Sequence, residues 1–244
     1  LKAGNDIILI SRNIEIHRRV RDHLLHMMKR NPGFKDRVFE AAERVLRTKS
    51  AYLRGDNAVP FFPDAENIDR YIPNREAEQF FFDLACRSVS VVKNGNIPLK
   101  TDQPEKILLV GQFQRFIRSG TARYPGAGNY YFSYDPFYAA DQDHIDTLKN
   151  MLDDYEILIF CLANPNSAQV LRGLEPAIKE HSITCFAFSV LSPAYLYEFP
   201  WIDSSLAVYG FGEESFQAGF AVLSGDYAPE GTFPINFDVF YNDK

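Results

Sequence analysis

Several large functional classes are excluded by what this sequence has little of. No apolar run approaches the ~20 residues that an α-helix needs to cross a bilayer, so no transmembrane segment is expected. Basic residues are outnumbered, 26 Lys and Arg against 32 Asp and Glu for a formal charge of −6. That balance argues against a nucleic-acid partner, because neutralising phosphates takes clustered Lys and Arg. The one local basic excess, Arg12, Arg18, Arg19, Arg21, Lys29 and Arg30, is explained more cheaply as a solvated helix face. Cysteine is scarce: Cys86, Cys161 and Cys185 form no CxxC pair, and no metal site is expected. Cys161 and Cys185 lie inside apolar runs, where a buried free thiol is the ordinary outcome. The sequence carries neither an initial Met nor a signal peptide. Leu1–Ile10 already reads as folded sequence, so the natural N-terminus and any targeting signal are expected elsewhere, and the compartment stays open.

What is present is an ordinary globular composition, 46% apolar and 24% charged, in 244 residues. That length suits one large domain or two modest ones. Ile7–Ile10 is a short continuous apolar run of the kind that forms a parallel strand covered on both faces. Apolar residues at Ile16, Val20, Leu24, Met27 and Met28 predict a helix over Ile14–Met28, broken by Asn31-Pro32-Gly33. Phe34, Val38, Ala41, Ala42, Val45, Leu46 and Leu53 predict a second over Lys35–Tyr52. Between Arg54 and Pro73 the composition turns to Gly, Pro, Asp and Asn, which predicts a linker. The expected division is therefore residues 1–54, a linker over 55–74, and a second domain over 75–244.

The second part alternates regularly. Helices are expected over Glu76–Arg87, Asp143–Leu152, Ser167–Lys179 (capped by Asn166 or Ser167), Pro193–Phe199 and Glu213–Leu223. Strands are expected over Ser88–Val92, Lys106–Val110, Glu156–Leu162, Ile183–Val190 and Ser205–Tyr209, with a closing strand near Phe233–Phe237. Such alternation predicts an α/β domain, a mainly parallel sheet with helices on both faces.

No active site can be assigned from the residues themselves. Gly111–Tyr138 reads as a long loop rich in Arg and aromatics after a buried strand. Ligands of open parallel sheets sit outside the carboxyl ends of strands, so Arg123 and Asn129 are candidate sugar-binding residues there. The simpler alternative is a loop that packs on a neighbouring domain. Val110-Gly111-Gln112-Phe113-Gln114-Arg115 has neither a dinucleotide nor a P-loop pattern, and no nucleotide or other cofactor is expected. Gly210-Phe211-Gly212-Glu213-Glu214 fits helix capping, its acids already occupying the positive dipole end. Ser189 and Ser192 lack the GxSxG elbow. His23 and His26 have no carboxylate to complete a metal set, and His17, His144 and His181 are scattered.

Four stretches, in order, resemble glycoside hydrolase family 3. Lys2-Ala3-Gly4-Asn5-Asp6-Ile7-Ile8-Leu9 resembles the A-G-x-D segment of that family's final barrel strand. Glu43-Arg44-Val45-Leu46-Arg47-Thr48-Lys49 is similar to the R-[IV]-L-x-x-K end of its last barrel helix. Ala85 to Asn94, followed by Ile97-Pro98-Leu99, resembles the entry to its second domain. Tyr209-Gly210, Leu223-Ser224-Gly225 and Pro229-Glu230-Gly231-Thr232-Phe233-Pro234-Ile235 resemble its closing G…P-x-G-x-L-P-V.

The resemblance implies the last βα unit of a (β/α)8 barrel followed by a flavodoxin-like αβα sandwich. It implies a parent that cleaves β-glycosidic bonds with retention, using a nucleophile and a separate acid/base. The nucleophile's Ser-Asp segment would precede Leu1, so no catalytic residue is expected in this chain. In the family's β-glucosidases the acid/base is a Glu of the second domain, in an E-x-E-G-x-D-R-like stretch. The corresponding stretch, Cys161-Leu162-Ala163-Asn164-Pro165-Asn166-Ser167-Ala168-Gln169, has no Glu. This favours the β-N-acetylhexosaminidase branch, whose acid/base is a barrel His in a loop also preceding Leu1. The implied partners are a parent barrel in cis and that parent's carbohydrate substrate. Ser11, Arg12 and Asn13, just past the expected barrel strand, are the residues expected to flank the cleft. The competing readings are a carbohydrate- or partner-binding module and the second domain of a β-glucosidase-type enzyme. A free-standing flavodoxin-like protein leaves residues 1–53 unexplained.

Overall fold

A computed structural model describes residues 1–10, 13–54, 58, 62, 64–68, 72–134 and 142–234. The chain forms two compact units, Leu1–Ile72 and Pro73–Lys244.

The first unit is a helical pair, α1 (Ile14–Arg30) and α2 (Pro32–Arg54). Asn13 starts α1: its side-chain oxygen accepts from the backbone amides of Glu15 (3.0 Å) and Ile16 (3.3 Å). Glu15 in the first turn and Lys29 and Arg30 in the last complement the helix dipole. Asn31 serves both helices. Its amide bonds the Met27 carbonyl at 3.0 Å, and its side chain accepts from the Phe34 amide at 3.0 Å. Pro32 then occupies the first turn of α2, where a missing N–H costs nothing.

Residues 7–10, expected as a strand, carry no β-structure. A parallel strand exists only through the ladder it shares, and no described strand of this unit offers one. Ile7 and Leu9 are 64% and 94% exposed. The segment before them is nonetheless anchored. Asp6 takes Arg44 in a bidentate pair, with both contacts at 2.8 Å, and Arg37 at 2.8 Å. Arg37 also donates to the Gly4 and Asn5 carbonyls, at 2.7 and 3.1 Å. Gly4 turns the chain toward these donors at φ +98°, a conformation a side chain would oppose. Arg44, then Arg37, hold the Asp6 carboxyl well below the usual carboxylate range.

The second unit is a three-layer αβα sandwich. Its elements are α3 (Arg75–Ser88), β1 (Ser90–Lys93), β2 (Ile107–Gly111), α4 (Gln114–Arg123), β3 (Gly128–Tyr131), α5 (Gln142–Leu152) and β4 (Ile157–Leu162). After them come α6 (Pro165–Glu180), β5 (Thr184–Ser189), the 3-10 turn Pro193–Glu198, β6 (Ser204–Ala207) and α7 (Glu213–Ser224). The six strands run in the order β1-β6-β5-β4-β2-β3, parallel except for the β1/β6 edge pair.

Alternation along each buried strand sends side chains into two cores. Leu109, Ile159, Cys161, Phe186 and Phe188 face α3, α4 and α7. Leu108, Val110, Phe160, Leu162 and Cys185 face α5 and α6. This double coverage is why these strands read as unbroken apolar runs. In the first core Phe188 and Phe220 lie 4.7 Å apart between ring centres, and Phe116 meets both. Gly219 lets α7 approach the sheet: a Cβ there would lie 2.7 Å from Phe188 and 2.8 Å from Val208. The three cysteines are buried free thiols, and burial pushes that of Cys86 up to about 11.

Four local expectations change. Residues 111–138, expected as a loop, contain α4 and β3. α4 escapes the periodicity test because its sheet-facing positions include the small Ser119 and Gly120. β3 is an edge strand whose alternate residues, Asn129 and Tyr131, are exposed. α6 begins earlier than expected, capped by Asn164 with Ser167 completing a reciprocal capping box and Pro165 in its first turn. The helix expected over 193–199 is a 3-10 turn. Of the closing strand expected over 233–237, residues 235–237 lie outside the described residues and Phe233 and Pro234 form no strand, though Gly231 makes an isolated parallel bridge to Ser90.

Two measurements test this account. Phe188→Ala should cost about 3–5 kcal/mol in urea unfolding, as truncation of a fully packed aromatic does; a cost below 1 kcal/mol would remove the ring cluster from the core. Asp6→Asn should lower the melting temperature at neutral pH. Because the Asp6 carboxyl is depressed on folding, its contribution is complete above the ordinary value of 3.8 and fades as pH falls below it. The gap between wild type and variant should therefore close in acid, and a gap independent of pH would contradict the clamp.

Candidate functional site

In the parallel part of the sheet, β3-β2-β4-β5-β6, the chain leaves β2 toward one edge and β4 toward the other. Their crossover helices α4 and α6 lie on opposite faces. The carboxyl ends of β2 and β4 thus form a topological switch point, where open α/β sheets hold ligands.

Two buried amides stand there. Gln112, just past β2, is 2% exposed and Asn164, just past β4, is 4% exposed. The Gln112 side-chain nitrogen donates to the Ser133 carbonyl at 3.1 Å. Asn164 accepts from the Ser167 amide at 2.9 Å, while the Ser167 hydroxyl accepts from the amides of Ala163 (2.9 Å) and Asn164 (3.0 Å). These bonds fix both amide orientations. They leave Gln112 Oε1, an acceptor, and Asn164 Nδ2, a donor, buried without a partner among the described residues.

Around them lies an aromatic rim. Phe113 stacks on Phe211 at 5.8 Å and 17°, and meets Tyr134 at 5.2 Å. Phe211 and Tyr134 remain 52% and 40% exposed. Tyr209 carries the chain from β6 to this rim at φ +59°, costly for a non-glycine residue, and its hydroxyl donates to Ser90 Oγ at 2.9 Å.

Among the described residues no acid/base or nucleophilic pair is assembled at these strand ends. The Ser189 hydroxyl donates to the Ser192 carbonyl at 2.9 Å, and Ser192 caps the 3-10 turn. His144 pairs with the Tyr130 hydroxyl at 2.7 Å and His181 with Asp153 at 3.2 Å. Glu213 and Glu214 are exposed in the first turn of α7. Among the described residues no three His, Cys, Asp or Glu side chains gather as metal ligands, and no helix is long and apolar enough to cross a membrane.

Neither Arg123 nor Asn129, expected at the carboxyl end of β2, lies there. Ser11 and Arg12 lie outside the described residues, and Asn13 is spent on capping α1. Arg123 ends α4, which runs back from the carboxyl end of β2 toward the start of β3. It therefore sits at the opposite end of the strands, paired with Asp226 at 2.5 Å. Asn129 is exposed on edge strand β3, in register with Leu109. Sequence reasoning missed Gln112, Asn164, Phe113 and Phe211. Their one signal is position: each follows closely on a strand that ends in a run of buried residues.

No protein-family profile matches the sequence, and no curated protein matches it. Solved structures do match. A fungal multi-domain GH3 β-N-acetylglucosaminidase with a GCN5-related glucosamine N-acetyltransferase region aligns over 96% of this chain and 27% of its own, at 20% identity and TM-score 0.66. A glycoside hydrolase family 3 β-N-acetylglucosaminidase from Paenibacillus sp. str. FPU-7 aligns over 96% and 45%, at 16% identity and TM-score 0.66. This chain has the fold of the C-terminal region of glycoside hydrolase family 3 proteins. A β-glucosidase involved in saponin metabolism from intestinal bacteria also aligns, over 96% and 41%, at 16% identity and TM-score 0.59. The chain spans less than half the length of each of these neighbours.

In this fold the turn after β4 is given over to capping. Asn164→Ala should therefore cost about 1–2 kcal/mol in urea unfolding, and Asn164→Asp, which keeps the capping oxygen, should recover most of it. Equal losses in both variants would show that the buried Nδ2 matters more than the cap.

Proposed function

We propose that this chain is the C-terminal portion of a retaining, β-N-acetylhexosaminidase-like glycoside hydrolase and is itself a non-catalytic scaffold. The observation that carries the reading is the turn after β4. The family's β-glucosidases place their acid/base Glu on such a turn, and here residues 163–167 hold no carboxylate. Their polar side chains Asn164 and Ser167 cap α6. Two long-aligning neighbours bear the name β-N-acetylglucosaminidase, which supports the same branch.

On this reading residues 1–54 are the last unit of a parent barrel, 55–74 the linker and 75–244 the sandwich domain. The first unit supports the assignment. Phe34 and Ala41 are its only buried residues among those described, and Leu9, Ile14 and Leu46 are each more than 60% exposed. Helices of this amphipathic kind need an apolar layer to cover them, and barrel strands supply one. Ser11, Arg12 and Asn13 would then flank the parent's cleft. The parent's substrate would be a terminal β-linked N-acetylglucosamine, cleaved by a nucleophile and an acid/base that the barrel provides. The chain by itself should not hydrolyse 4-nitrophenyl β-N-acetylglucosaminide above a buffer blank. Turnover that a single substitution within residues 1–244 abolishes would overturn the scaffold reading.

A second reading, a carbohydrate-binding module, is favoured by the two buried amide atoms and the aromatic rim at the switch point. Calorimetric titration with N-acetylglucosamine oligomers separates the two. Saturable heat that Phe211→Ala weakens about tenfold, the worth of a lost stacking platform in such a site, would establish the module. An absence of heat leaves the scaffold. Arg123→Ala, at the far end of the strands, should change neither result.

A further inference from the structure

Asn94 and Gly95 are the only Asn-Gly pair in the sequence, and they stand exposed in the turn that follows β1. Such a pair is prone to lose ammonia, because glycine has no Cβ to keep its nitrogen from the preceding side chain. Once its proton is taken, the Gly95 nitrogen bonds Asn94 Cγ; the Cγ–Nδ2 bond then breaks and Nδ2 leaves as ammonia, carrying a proton in return. Water opens the resulting five-membered imide at either carbonyl, giving aspartate or its β-linked isomer. The fold imposes the glycine. A Cβ at residue 95 would lie 2.5 Å from the Asp203 carbonyl oxygen, so the turn passes too close to the start of β6 for a side chain.

That close approach also supplies a restraint. The Gly95 amide donates to Ser204 Oγ at 3.1 Å, and the Asn96 amide donates to the same oxygen at 2.8 Å. Ser204 is fully buried, and its place is set by the sheet, where it pairs with Phe186 of β5. A third bond holds the Asn94 side chain, whose Oδ1 accepts from the Ile97 amide at 3.3 Å. The first of these bonds bears directly on the chemistry. Imide closure starts with removal of the Gly95 proton, and that proton is held on a buried hydroxyl. Base reaches it only when the turn opens, the same step that governs amide hydrogen exchange.

We propose that Asn94 is a latent site of spontaneous deamidation and that Ser204, by withholding the Gly95 proton and pinning the turn, sets its rate. The inference is independent of the glycosidase reading, because it uses no part of the switch point or of the first unit. The test is to incubate the full chain in mildly alkaline buffer and follow the peptide containing Asn94 by mass spectrometry. The folded wild type should convert at least about tenfold more slowly than the same chain unfolded in guanidinium. Ser204→Ala should convert about tenfold faster than wild type when folded, as loss of two backbone bonds to a buried acceptor does, and at the wild-type rate when unfolded. Asn94→Gln, which cannot close the five-membered ring, should show no mass gain in this peptide. Asn164→Ala, a cap loss at the other end of the strands, lowers global stability without touching the turn and should leave the folded rate near that of wild type. If Ser204→Ala does not fold, hydrogen exchange in the wild type decides: the Gly95 amide should be protected, and its exchange and Asn94 conversion should rise together as guanidinium is raised. Equal rates in wild type and Ser204→Ala, equal acceleration by Asn164→Ala, a mass gain that survives Asn94→Gln, or an unprotected Gly95 amide would each overturn the proposal.

Discussion

The sandwich rests on one constraint, the burial of β2, β4 and β5 on both faces. A strand covered on both sides leaves little room for polar side chains along its length, and from Leu108 to Val110, Leu158 to Leu162 and Cys185 to Phe188 every residue is apolar and at most 1% exposed. The strands pair in parallel, so each return must cross a face, and the crossover helices supply the coverage the strands need. The polar groups excluded from the strands accumulate at their carboxyl ends. That is why Gln112 and Asn164 stand side by side in the topology, one after each strand of the switch point.

The same constraint acts at β6 and β1. Where the crossover shortens to a 3-10 turn, coverage thins, and side chains such as Leu196 and Phe199 take over the work of a helix. These strands tolerate more polarity as a result: β6 contains Ser204 and Ser205, and β1 ends on the exposed Lys93. Ser204 accepts from the backbone amides of Gly95 and Asn96, at 3.1 and 2.8 Å, so the turn after β1 is tied down by a hydroxyl from the neighbouring strand.

The first unit is organised by charge. Asp6 joins the A-G-x-D stretch to Arg44 of the R-V-L stretch, so two motifs 38 positions apart are the two halves of one ion pair. Neither residue is buried, and a solvent-screened pair adds little stability by itself. Its bidentate geometry and the added bonds from Arg37 serve mainly to fix direction, setting where residues 4–6 run along α2.

How much of this was legible depended on how strongly each element announces itself. The buried strands and the helices α1, α2, α3, α5 and α7 were readable because burial writes an unbroken or a 3.6-spaced apolar pattern. α4 and β3 were hidden, since Ser119 and Gly120 fill the contact positions of the one and exposed residues alternate along the other. The strand at residues 7–10 was legible as a pattern yet absent as a structure, because a strand is a relation between segments. The candidate site was the least legible part: Gln112 and Asn164 belong to no motif, and Arg123, prominent in sequence, lies at the wrong end of the strands. By itself the sequence determined the α/β class, the alternation of elements and the absence of a carboxylate after β4, all consequences of local composition. Only the tertiary structure decided which strand ends meet, which amides are sealed beneath them and where coverage fails, because those depend on strand order and on side chains brought together from distant positions.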